Sequence, residues 1–384
     1  MSDLATARSV LETLVAFPSV SRGTNLPLID WAAGWLRDLG AEVTVVPDPD
    51  QPQKASLFAQ IGPAVPGGVV LSGHTDVVPV EGQDWSYDPW AVTEADGRLY
   101  GRGCCDMKGF DALAMAAMAL AARAPLKRPL QIALSHDEEL GCIGCIPMIE
   151  AMTALPRAAA VVVGEPTMMK AVTGHKGGVA FWVKVHGVPV HSSIMHTGVS
   201  AILEAAKILM WVNEMNEAGR AKATQTPFVP PWTTVHTGEI SGGTAHNITA
   251  ALCEFGVDFR VLPGESPKDW RAAFRAKVAE VEAEMKAVHP AARIEIEERF
   301  ALPGLAPEVN GAAEALVRRI TGDNGSMVVS YGTEAGQFQT RGWSAVVCGP
   351  GDIEQAHKPD EWLEVAQFEA GWAFMETLIG TLCE

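Results

Sequence analysis

Three short apolar runs constrain this chain most: VVLSG at 69–73, LQIAL at 130–134 and AAAVVVG at 158–164. Each is continuous rather than alternating, so each reads as a strand buried on both faces. Each also runs directly into charged residues: HTD, SHDEE and EP. Between the first two lies GFDALAMAAMALAARA, a helical pattern whose apolar run is too short to span a bilayer. Strands of this kind alternating with helices predict an α/β fold with a mixed, mostly parallel sheet flanked by helices.

With 384 residues, 48% of them hydrophobic, the chain is too long for one ordinary domain. The texture changes near residue 178. VAFWVKVH, a helix from 199, TVHTGEISG, CEFGVDFRV, a helix over about 267–287 and RIEIEERF give strand, helix, strand, strand, helix, strand. That order predicts a small α+β, ferredoxin-like domain. The first texture returns with GAAEALVRRI and SAVVCGPG. We therefore expect residues 1–176 and 300–384 to form a catalytic domain and 177–299 an inserted one.

The net charge of −17 argues against nucleic acid and anionic membranes as partners. The N-terminal stretch reads as an amphipathic helix and lacks the basic start of a signal peptide, so a cytoplasmic location is expected. Seven cysteines, an odd number, do not suggest a disulfide framework. Cys142 and Cys145 form a lone C-x-x-C, which fits packing at a helix start and leaves open a thiol-based binding or redox role.

Five segments carry metal-type ligands at or beyond strand ends: His74 and Asp76 in GHTDVVP, Asp106 in GRGCCDMKG, Glu138 and Glu139 in SHDEELG, Glu165 in VGEPT, and His357 in QAHKPDE. Active sites of open α/β sheets gather beyond the carboxyl ends of the strands, so these segments should converge. Converging carboxylates repel one another unless a cation intervenes. Two histidines and several carboxylates suit two divalent ions, zinc best, sharing one carboxylate.

These motifs, in this order over nearly the whole chain, resemble those of the two-metal amidohydrolases and peptidases. That family includes acetylornithine deacetylase, succinyl-diaminopimelate desuccinylase, aminoacylase and bacterial carboxypeptidase. The resemblance implies that His74, Asp106 and Glu165 hold one metal, and Asp106, Glu139 and His357 the other, with Asp106 as bridge. It makes Glu138 the general base and acid toward a bridging water, and Asp76 the group that orients His74. The ions would be two Zn2+, with Co2+ able to substitute. By the same resemblance His191 stabilises the oxyanion from a partner subunit, with His196 as rival, and Asn247 and Arg260 hold the substrate carboxylate. A homodimer through the inserted domain follows. HKGG, GEPT, YGTEAGQF and QAHKPDEWL look closest to the acetylornithine deacetylase branch, implying hydrolysis of an N-acyl amino acid such as N2-acetyl-L-ornithine and a place in arginine biosynthesis. A desuccinylase, another N-acyl-amino-acid deacylase and a dipeptidase are the alternatives. The chain departs from that branch at Ile194 and Met195, where an acid and a proline are usual, a change bearing on the pocket or the subunit contact.

Overall fold

The computed structural model describes residues 3–223 and 225–384. Two helices, α1 (Asp3–Val15) and α2 (Leu26–Asp38), lead into β1 (Glu42–Pro47), β2 (Ala55–Ile61), β3 (Val69–His74), β4 (Thr93–Ala95) and β5 (Arg98–Tyr100). Next come α3 (Lys108–Ala121), β6 (Leu130–Ser135), α4 (Cys145–Ala151), β7 (Ala160–Val163) and β8 (Val172–His175). The middle of the chain holds β9 (Gly177–His186), α5 (Ala201–Ala221), β10 (Thr234–His236), β11 (Ile240–Gly242), β12 (Leu252–Val261), α6 (Pro267–Val288) and β13 (Arg293–Leu302). It closes with α7 (Ala312–Thr321), β14 (Met327–Val329), α8 (Ala335–Thr340), β15 (Ala345–Val347), β16 (Trp362–Glu364) and α9 (Val365–Leu382).

The chain divides into two compact units. One runs to Gly174 and takes in Leu305–Met327 and Thr333–Glu384; the other comprises His175–Gly304 and Val328–Gly332.

In the first unit the large sheet has the order β1-β2-β6-β3-β7-β15-β8. Its centre is parallel: β3 pairs with β6 and β7, and β15 with β7. β1, β2 and β8 join antiparallel on the two sides. This is the mixed, mostly parallel sheet flanked by helices that the continuous apolar runs require: every residue of β2, β3, β6 and β7 is buried. The alanine- and methionine-rich run is α3, with most of its residues buried among α1, α9, β3 and β6. Among the described residues no helix is long and apolar enough to cross a membrane.

The second unit is an antiparallel sheet in the order β10-β12-β9-β13, with β11 on β12, packed against α5 and α6. Alternate residues of β9 and β12 are buried, as the alternating sequence demands. Phe181, Phe259 and Phe274 form the aromatic centre of this core.

Candidate metal centre

β3, β6 and β7 lie side by side in the parallel part of the sheet, and each delivers ligand-type side chains at its carboxyl end. β3 ends at His74, β6 runs into 136–139, and β7 runs into Gly164 and Glu165. Two glycines permit this crowding. A Cβ on Gly73 would stand 2.0 Å from Asp111 Oδ1, and one on Gly164 1.9 Å from the Phe110 ring.

Asp106 stands between two imidazoles. Its Oδ1 is 3.0 Å from His74 Nε2 and its Oδ2 is 3.2 Å from His357 Nε2. His357 Nε2 also lies 3.1 Å from Glu139 Oε1, and His74 Nε2 is 3.9 Å from Glu165 Oε1. Ligand atoms of His74, Asp106 and Glu139 all fall within 4.8 Å of one another, as do those of His74, Glu138 and Glu165. All but the half-exposed His357 are largely shielded from solvent.

His74 Nδ1 is 2.8 Å from the Asp76 carbonyl oxygen, which can only accept. Nδ1 therefore carries the proton and Nε2 is the ligating nitrogen. The carboxylate of Asp76 lies farther off, at 3.6 Å. It accepts instead from the backbone N–H of Glu138 (3.1 Å) and Glu139 (3.4 Å) and from Ser21 Oγ (2.7 Å). Asp76 thus meets His74 Nδ1 through its main-chain carbonyl, while its carboxylate stands within ion-pair reach of the same nitrogen and also holds the acidic loop.

The electrostatics call for cations. Burial pushes Glu138 up to about 8, with Glu139's charge adding to it. Burial and the charges of Asp106 and Glu138 push Glu165 well above the carboxylate range, and burial and Asp106 raise Glu139. Burial opposes protonation of His74, but the hydrogen bond to Asp106 and the charges of Glu165, Asp106 and Glu138 together outweigh it and raise the imidazole well above its usual value. Hydrogen bonds to Asp106 and Glu139 raise His357 to about 10. Protons thus stand where metals would. Imidazole and carboxylate donors around one shared carboxylate fit two divalent ions of the zinc type.

The loops have anchors that reading the sequence did not find. Glu361 is buried and accepts from the backbone N–H of Cys105 (2.9 Å) and Asp106 (3.1 Å), while Arg102 Nη1 donates to its other oxygen at 2.7 Å. Asp137 is paired with Lys54 Nζ, both fully buried, so this acid is neutralised by a lysine rather than by a metal. Glu334 accepts from Ser72 Oγ on β3 and Ser135 Oγ on β6. The signal was a charged residue inside each motif with no obvious exposed position, but the partners are distant in sequence.

Cys142 and Cys145 are buried, and burial drives both thiols well above their usual range. A reactive thiolate needs the opposite shift.

His191, Asn247 and Arg260 belong to the second unit. His191 and Asn247 are neighbours there: Ser192 N donates to the Asn247 carbonyl at 2.9 Å, and His191 bridges Ile248. His191 is exposed, its Nδ1 2.9 Å from Ser193 Oγ; His196 is also exposed. Arg260 lies on β12, its Nε donating to Asp258 Oδ2 at 2.8 Å.

The family model described as peptidase family M20/M25/M40 matches residues 70–381. The chain belongs to this peptidase family. Like other members of peptidase family M20/M25/M40 it is a metal-site hydrolase of the amidohydrolase and peptidase type. It is 33% identical to acetylornithine deacetylase of Proteus mirabilis over 387 residues, covering 99% of this chain and 97% of that one. A tripeptidase from Staphylococcus aureus superposes with a TM-score of 0.76 at 20% identity, covering 99% of this chain and 98% of that one. The YXEP protein of Bacillus subtilis, a dinuclear metal-binding peptidase, gives 0.66 at 16% identity and 99% coverage of both chains.

Proposed function

We propose that this M20 hydrolase cleaves the N-acyl amide of a small amino acid, with N2-acetyl-L-ornithine giving acetate and L-ornithine as the first substrate to test. The observation that carries the reading is Asp106 set between His74 and His357, one oxygen toward each. That is the geometry of a shared carboxylate. In this reading His74, Asp106 and Glu165 hold one ion, and Asp106, Glu139 and His357 the other. A bound pair of divalent ions, zinc by preference, would polarise the amide carbonyl and acidify water.

The remaining chemistry belongs to the chain. Glu138 takes a proton from the attacking water and delivers it to the leaving amine nitrogen. Its raised proton affinity in the buried site suits a group that must both accept and donate near neutral pH. Asp76 holds the backbone of Glu138 and Glu139, so that the two neighbouring side chains keep separate tasks. Arg260 and Asn247 hold the substrate carboxylate, the guanidinium by a forked contact. His191 donates to the developing oxyanion from a second subunit. The substrate name is supported by full-length similarity to acetylornithine deacetylases.

A homodimer through the second unit is part of the proposal. That unit exposes the large apolar side chains of Ile194, Met195, Ile202, Leu203, Met210 and Ile240, which a subunit contact would cover. A cytoplasmic setting accords with the sequence.

The test is ornithine release from N2-acetyl-L-ornithine by protein stripped with chelator and reloaded with zinc. Activity that vanishes and returns with the metal supports the reading. Two ions bound without ornithine release would overturn the substrate and turn the assay to succinylated amino acids and dipeptides.

A further inference from the structure

Cys142 touches the carboxylate on which this reaction depends. Its Sγ lies 2.9 Å from Glu138 Oε1, and its backbone N–H donates to the Glu138 carbonyl oxygen at 2.8 Å. Residues 138–142 thus fold into a closed turn that lays the thiol back over the acid four residues earlier. Cys145 Sγ donates to the Cys142 carbonyl oxygen at 3.2 Å.

The backbone makes the choice of residue informative. Cys142 has φ +56, in the left-handed region where a side chain with a Cβ is disfavoured and glycine is at ease. Glycines stand at 141 and 144, yet position 142 is a cysteine with only 1% of its surface exposed. A residue held there against its backbone preference contributes something through its side chain. The contact is S–H to carboxylate, and a thiol whose proton affinity is raised by burial stays a donor.

The surroundings say what the contact is for. An atom of the Glu138 carboxylate falls within 4.8 Å of His74 and Glu165, close enough to compete for a metal position. A base that becomes a ligand can no longer carry a proton. We propose that Cys142 is a positioning residue: its thiol tethers Oε1 of Glu138 and keeps that carboxylate in the role of base rather than ligand. This rests on Glu138 being the general base.

The experiment compares zinc-loaded Cys142→Gly, Cys142→Ala and Cys142→Ser with the unaltered protein. Glycine removes the donor and suits the backbone, so it serves even where alanine fails to fold. Loss of one hydrogen bond to a charged acceptor should lower kcat about tenfold to a hundredfold, with KM changed by less than about twofold. Serine, which keeps a donor in the same place, should recover kcat to within about threefold. Cys145→Ala, which alters packing but not the carboxylate contact, should leave kcat within about twofold. Wild-type kcat in the glycine and alanine variants overturns the proposal, and so does an equal loss in Cys145→Ala. Glu138→Gln is assayed alongside: full activity there would sink the base assignment itself, whereas an inactive Glu138→Gln beside a fully active Cys142→Gly would sink the tether alone.

Discussion

Arg102 and Glu361 form a fully buried ion pair, Nη1 to Oε2 at 2.7 Å, and the free oxygen of Glu361 receives the backbone N–H groups of Cys105 and Asp106. Asp106, the carboxylate proposed to be shared by two ions, is thus aimed by a second buried carboxylate, Glu361. Glu361→Ala leaves Arg102 charged and unpaired in the interior, at a cost of about 3–5 kcal/mol. The same variant should bind zinc about 10- to 100-fold more weakly, because Asp106 loses its support. Thermal denaturation and zinc titration against a competing chelator check the two effects; unchanged affinity in a folded variant would remove Glu361 from the aiming role.

The Lys54–Asp137 pair makes a second prediction. Both side chains are buried, and Asp137 has φ +53. Lys54→Met strands a buried carboxylate and should cost about 3–5 kcal/mol in urea denaturation. Adding Asp137→Asn, which removes the charge and tolerates the left-handed backbone, should restore part of that loss. Additive losses in the double variant would mean that the two residues act independently.

Metal-free protein should lose stability as pH rises from about 5 to about 8. Glu138, Glu139 and Glu165 all have folded-state proton affinities raised by burial, Glu138 to about 8. His74 and His357 are raised as well, His357 to about 10. For the three carboxylates the folded state holds more protons from about pH 4.5 upward, and for the two imidazoles from about pH 6.5 upward, so raising the pH through the window favours unfolding. Asp106 is shifted the other way, because the hydrogen bonds from His357 and His74 outweigh burial, but it titrates far below the window. Metals replace these protons, so the zinc-loaded protein should show little such slope. Calorimetry in chelator and in zinc across the range measures both; a flat chelated profile would contradict the account.

Ligand variants should change metal stoichiometry unequally. His357→Ala should lower bound metal from two ions to one, while Glu138→Gln should leave it at two, both read by elemental analysis. Loss of an ion in Glu138→Gln would make Glu138 a ligand.

Arg260→Ala should raise KM for a carboxylate-bearing substrate about tenfold or more, with a smaller effect on the amidated analogue. Equal losses on both would remove the carboxylate contact.

The ligand-type residues were legible because each sits in a local pattern, an apolar strand running into His, Asp or Glu, and strand order in a parallel sheet brings such ends together. Their supports were not. Cys105 meets Glu361 across 256 residues and Ser72 meets Glu334 across 262, and local sequence carries no trace of such pairings. Asp137 stands beside Glu138 and Glu139 in the sequence, yet its partner is Lys54, 83 residues earlier. Asp76 shows the other limit: local sequence places it beside His74 but does not show that its main-chain carbonyl makes the shorter contact. In the second unit the order of strands and helices was readable because burial alternates along β9 and β12; the short β11 was not separable from the loop around it.

Glu139 meets His357 across 218 residues of sequence. On the ribosome the first strands and their acids emerge long before the imidazole that completes the set. We expect a nascent chain to take up its second ion only after the segment bearing His357 has emerged and folded onto the earlier strands, so that full metal loading reports the closure of a contact 218 residues long.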